Sequence, residues 1–426
     1  MRSLISIASL LLFLSCGPKI KPISEYLDIE KDMQTQFILA EDGMTIEIPA
    51  GHYRFSRSLV LEGRKQVVIK GAGMDQTFLS FRDQEEGAEG IKIANCQNII
   101  LADFTIEDAS GDNIKVNDTE GITFNHVKSA WTGKPKETNG AYAFYPVSCS
   151  NVLIDNCIAT GASDAGIYVG QCRNVIVRNS KAYKNVAGIE IENTIMADVY
   201  DNEAYDNTGG ILVFDLPGLT QYGRHVRVYN NKITKNNHKN FAPPGNIVGG
   251  VPPGTGVMVL ATREVEVFEN EVANNRTVGL SVVSYVLVDA TNGDKQDAGT
   301  ENGSLNSVTN AFEMDSLYNP YPADIYIHNN SFTNNTWFPT FKNDFGLLFF
   351  REFGLNIPDI IYDGITENNG KSGRICLNGN GEATFANLDA ANDFNNISRE
   401  ISPYQCEGTR LQPVQLAPIA KSEAVL

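Results

Sequence analysis

The feature that most constrains this chain is a short internal repeat. Cys149-Ser-Asn-Val-Leu-Ile-Asp-Asn and Cys172-Arg-Asn-Val-Ile-Val-Arg-Asn align without gaps 23 residues apart, and Cys96-Gln-Asn-Ile-Ile-Leu-Ala-Asp aligns with both. Gly166-Ile-Tyr-Val-Gly, Gly188-Ile-Glu-Ile-Glu and Gly210-Ile-Leu-Val-Phe recur every 22 residues. A third landmark runs through Val177-Arg-Asn-Ser-Lys-Ala-Tyr-Lys-Asn, Val199-Tyr-Asp-Asn-Glu-Ala-Tyr-Asp-Asn and Val228-Tyr-Asn-Asn-Lys-Ile-Thr-Lys-Asn, and returns at Val267 and Ile327. Self-similarity at this period means stacked supersecondary units.

Within a unit the apolar residues alternate, as in Val175/Val177 and Ile189/Ile191, which is strand periodicity. At about 3.3 Å per residue, 22 residues hold about three short strands and their corners. One unit cannot bury its apolar face alone, so each strand must pair with its equivalent one turn away. The expected fold is all-β: a single parallel β-solenoid of 22–23 residues per turn. The chain has 42 Asn and 37 Gly. Both are poor in helix interiors, and Asn suits left-handed corners and side-chain amide ladders.

At this point the chain resembles right-handed parallel β-helix proteins of the carbohydrate-binding and sugar-hydrolase type, over roughly residues 40–370. Asn139-Gly-Ala-Tyr-Ala-Phe-Tyr-Pro-Val, Ala162-Ser-Asp-Ala-Gly-Ile-Tyr-Val-Gly-Gln, Ala187-Gly-Ile-Glu-Ile-Glu-Asn and Thr208-Gly-Gly-Ile-Leu-Val-Phe-Asp-Leu-Pro-Gly-Leu are most similar to an uncharacterised group of exported bacterial β-helix lipoproteins. That likeness implies fold and location and supplies no catalytic residues. The Asp-Asp and Gly-His-Gly of β-helix polygalacturonases are absent, as is the Asp-Pro-His-Asp of β-helix alginate epimerases. Pectate lyases pair acidic Ca²⁺ ligands with an Arg or Lys base. Here the acids exist, but Lys115 is the one basic residue in the same columns, and Arg224 and Arg263 lie near loops.

The termini have their own logic. Residues 1–15 carry Arg2 and an apolar run from Leu4 to Leu14, too short to span a bilayer and suited to a signal peptide. The run ends at Ser15-Cys16-Gly17, resembling a bacterial lipoprotein signal with lipidation at Cys16. The expected order is then a tether over 16–31, the β-helix over 32–370, a C-terminal cap over 371–410 and a flexible tail over 411–426. Asp32–Glu41 reads as a short amphipathic helix capping the first turn. Cys376 and Cys406 are candidates for a disulfide, which an oxidising compartment permits. No Cys/His spacing suggests zinc or haem.

Function is sought where the repeat is interrupted, at Trp131–Asn139, Leu216–Arg224, His238–Pro253 and Tyr285–Pro322. The second and fourth leave after a Gly-led strand, so the outer face of those strands is the expected floor of a groove. Alternation places Tyr142, Phe144, Tyr168, Glu190, Glu192, Leu212, Phe214, Met258 and Leu260 outward, with Asp164 and Asp215 at strand ends. Aromatic faces beside carboxylates suit a sugar ring. The substrate-binding candidates are Tyr142, Phe144, Tyr168, Phe214 and Trp131. Glu190, Glu192 and Asp215 are candidates for acid and base, or for Ca²⁺. Each has a plainer reading: a cross-strand ladder for the tyrosines, solvated positions for the glutamates, a turn cap for Asp215 and loop packing for Trp131.

The formal net charge is -17. It argues against nucleic acid as a partner and against unaided binding of acidic glycans. Three functions stay open: an exported outer-membrane lipoprotein that binds or processes polysaccharide, a surface scaffold whose Tyr285–Pro322 loop docks a partner protein, and a Ca²⁺-dependent lyase or epimerase.

Overall fold

The computed structural model describes residues 21–293, 315–333, 339–341, 344–367 and 374–417. Cys16, the signal segment and most of the 285–322 insertion lie outside them.

The chain winds as a right-handed parallel β-helix. Each turn carries a Gly-led strand such as Ala165–Gly170, an Asn-led strand such as Arg173–Arg178 and a short strand such as Lys181–Tyr183. Every strand pairs in parallel with its counterpart one turn away. The Gly-led ladder has eleven strands, from Arg57–Glu62 to Phe385–Asn387. Its register stacks like on like: Phe144, Ile167, Ile189, Ile211, Val257, Leu280, Ile360 and Phe385 form one inward column. All eight are buried, and each stabilises the fold by roughly 1.5–3 kcal/mol. The helix Glu30–Ile38 lays Met33 and Phe37 over the open N-terminal end of that core.

The corners explain the asparagines. Asn202, Asn231, Asn270, Asn330 and Asn380 stack, each Nδ2 donating to the next Oδ1 at 2.9–3.1 Å. Asn185, Asn207, Asn236 and Asn275 form a second ladder at the next corner. The residue before each rung takes the left-handed conformation, as at Asp201, Asp206, Asn230 and Lys235. Conformation and hydrogen bonding thus fall to neighbouring positions, and only the rung requires Asn.

Strand pairing continues beyond residue 370: Ile375–Asn378 joins the Asn-led ladder and Phe385–Asn387 the Gly-led one. Cys376 and Cys406 form a disulfide. Cys96, Cys149, Cys157 and Cys172 are buried free thiols. The described part of the tail is not loose. It crosses the outer face of the Asn-led ladder, where backbone N–H groups of Leu411 and Val414 donate to the buried carboxylates of Glu266 and Asp198 at 3.0 and 3.1 Å.

Candidate functional site

The outer face of the Gly-led ladder is not a uniform groove. One outward column reads Lys92, Lys115, Tyr145, then Tyr168, Glu190, Leu212, Met258, Ser281 and Ile361. From Leu212 onward it is covered and, Ser281 apart, apolar. Val248 and Val251 of one insertion, Tyr285 and Leu287 of the helix Tyr285–Gly293, and Phe345 and Phe349 of the helix Asp344–Phe353 pack on it as a second core. Leu212, Phe214, Met258 and Leu260 do point outward, but they form the base of this core rather than an open sugar platform.

Two further expectations are corrected. Phe144 faces inward, stacked edge-on against Phe124. Ala143 and Phe144 both lie in the inner core, so alternation is broken early in the strand Tyr142–Val147. Tyr145 takes the outward place. Trp131 is 7% exposed and donates its indole N–H to the Ala109 carbonyl at 2.9 Å, so it seals a corner instead of presenting a face.

What converges lies at the edge of the cover. The rings of Tyr142, Tyr145 and Tyr168 pack at 4.5–5.0 Å. Tyr142 and Tyr145 are partly exposed, while Tyr168 is buried. Tyr168 donates to Glu192 Oε1 at 2.6 Å. A Cβ at Gly170 would overlap the Tyr168 ring, so the glycine lets that ring lie back toward Glu192. Asp164 accepts from Tyr142 at 3.4 Å and, at 2.8 Å, from Asn246 of the His238–Pro253 insertion. Glu190 is 2% exposed, and its Oε2 has no hydrogen-bond partner. Asp215 accepts from the Gly223 N–H at 2.6 Å and closes the Leu216–Arg224 insertion.

These carboxyls are held toward the neutral form. Burial, then the charges of Asp164 and Glu192, push Glu190 well above the carboxylate range. Burial likewise raises Asp164, helped by Glu192, and raises Glu192 against the Tyr168 hydrogen bond. Burial takes Asp215 up to about 8 and Asp112, which accepts from the Tyr142 N–H, up to about 6. Lys115, the basic residue of the column next to the tyrosines, is engaged by Glu89 at 3.8 Å and by the Tyr145 ring at 4.8 Å.

Among the described residues no group of three or more His, Cys, Asp or Glu side chains is placed to hold a metal ion, and Glu190, Glu192 and Asp215 are read as acids.

Sequence reasoning missed Tyr145 and Asn246. The first was available by aligning Phe144 with Ile167. The second had no local signal, being 82 residues from its partner.

The right handed beta helix region model matches residues 89–238 and 136–294. No curated protein matches the chain. Among solved structures, the A-module of the mannuronan C-5 epimerase AlgE4 of Azotobacter vinelandii has a TM-score of 0.50 at 15% identity, over 84% of this chain and 91% of that one. A point mutant of the periplasmic alginate epimerase AlgG has a TM-score of 0.42 at 12%, over 75% and 80%. DFA-IIIase of Arthrobacter chlorophenolicus has 0.43 at 10%, over 82% and 81%. At 15% identity the likeness to the AlgE4 module is one of fold.

Proposed function

We propose that this is an exported, lipid-anchored β-helix protein that binds and processes polysaccharide at the Tyr142/Tyr145/Tyr168 cluster. The observation that carries this is three mutually packed tyrosines, two partly open, set against buried carboxyls on the outer face of the solenoid. Rings supply stacking surface for a sugar, and carboxyls poised near neutrality supply donors and acceptors for acid–base work. The fold likeness to a module whose name assigns it to mannuronan supports a carbohydrate role. Anchoring rests on the segment ending at Cys16.

Two other readings are weaker. In the described part of the Tyr285–Pro322 insertion, Tyr285, Leu287 and Tyr318 are spent on the outer core and Leu317 alone of the large apolar side chains stands exposed, which is little surface for a protein partner. A Ca²⁺-dependent lyase lacks a ligand set among the described residues. The test is a glycan array probed with the full chain and with Tyr145→Ala and Tyr168→Ala. Loss of a specific glycan signal in both variants is expected; unchanged binding would sink the assignment.

A further inference from the structure

Every partner of the carboxyl cluster is neutral. Asp164 receives a phenol and a carboxamide, and Glu192 receives a phenol. Among the described residues no Lys, Arg or His forms an ion pair with Asp164, Glu190, Glu192 or Asp215; the nearest basic side chain of the column, Lys115, is turned to Glu89. Buried polar atoms are ordinarily satisfied, yet Glu190 Oε2 is buried and unpartnered. It faces a cluster roofed by Asn246 from the His238–Pro253 insertion. An orphan acceptor in such a place awaits a donor from outside.

We infer that the ligand of this site is a neutral glycan, which presents hydroxyl donors to Glu190 and Asp164 and takes the place of the Asn246 carboxamide. The inference rests on the carbohydrate reading above and narrows it. An anionic sugar would have to bury its charge beside neutral acids that, among the described residues, offer it no ion-pairing Lys, Arg or His, and an unpaired buried charge is costly. A hydroxyl carries no such penalty and satisfies the orphan oxygen. The charge of -17 on the whole chain acts in the same direction at longer range.

The experiment is calorimetric titration of the full chain with two matched panels: neutral oligosaccharides (β-glucan, xylan, mannan and chitin fragments) and uronate oligosaccharides of alginate and pectate. A neutral oligosaccharide is expected to bind at least tenfold more tightly than any uronate of equal length. Glu190→Gln keeps an uncharged hydrogen-bonding side chain and is expected to stay within about threefold of the parent, whereas Glu190→Ala loses more than tenfold. Uronates binding as tightly as neutral chains, with that binding lost in Tyr168→Ala, would overturn the inference while leaving the carbohydrate site standing. Binding of neither panel would overturn both.

Discussion

Two sets of buried polar side chains lie within a few turns of each other. In the asparagine ladders each interior rung donates and accepts along the stack and also reaches a backbone carbonyl, as Asn207 does to Ala182 at 2.9 Å. In the carboxyl cluster burial holds the acids toward the neutral form, Glu190 keeps an oxygen without a partner, and among the described residues no Lys, Arg or His forms an ion pair with Asp164, Glu190 or Glu192. Satisfied polar groups fix a structure, while an unsatisfied one calls for an explanation of its own. The ladders repeat with the turn and are periodic. The cluster occurs once, where the covering insertions begin.

The contrast can be broken most forcefully at a rung. Asn207→Leu strands Asn185, whose backbone and side-chain N–H groups both donate to Asn207 Oδ1, and strands the Ala182 carbonyl. At roughly 1–3 kcal/mol per buried unpaired group, denaturant unfolding is expected to show a loss of about 3–5 kcal/mol. A loss under about 1 kcal/mol would mean that the ladder is decoration.

The cluster is expected to respond to pH instead. Its acids bind protons in the folded state that an unfolded chain, with carboxyls near about 4, has already released. Their stabilising contribution is whole below that range and is lost as pH rises through the folded values, up to about 8 for Asp215. The melting temperature should therefore fall between about pH 5 and pH 8, and Asp215→Asn should flatten the fall. A melting curve independent of pH contradicts the assigned protonation.

Replacing the orphan is the subtler probe. Glu190→Leu removes a buried, poorly paired carboxyl and should leave unfolding free energy unchanged or raise it by about 1–2 kcal/mol, while abolishing glycan binding. Clear destabilisation would instead make Glu190 a structural residue. The smallest effect is expected from Tyr142→Phe, which removes a hydrogen bond stretched to 3.4 Å and should cost under about 1 kcal/mol.

The repeat made the architecture readable because a solenoid writes its own register into the sequence: Ile167, Ile189 and Ile211 already announce one column. The outward positions were readable only where alternation holds. It fails at Ala143-Phe144, early in the strand Tyr142–Val147, and that slip hid Tyr145. What covers a face was less visible still. Phe214 reads as an open ring until Leu216, Val248 and Tyr285 gather over it, and no local pattern encodes contacts made by insertions far along the chain. The tail misled for the opposite reason. Its sequence lacks the repeat and carries two prolines, which suggests freedom, but its backbone N–H groups serve buried acids.

That tail has a mechanical consequence. A stack of turns held only by nearest neighbours can peel from its last layer inward, one layer at a time. Here Cys406 is tied to Cys376, Arg410 reaches His328, Leu411 reaches Glu266, Gln412 reaches His225 and Val414 reaches Asp198. The strap runs across the strands and makes one fastening on each of five successive layers. Unravelling from this end must undo the strap before it can free a single turn, so the last five layers are bound to yield together.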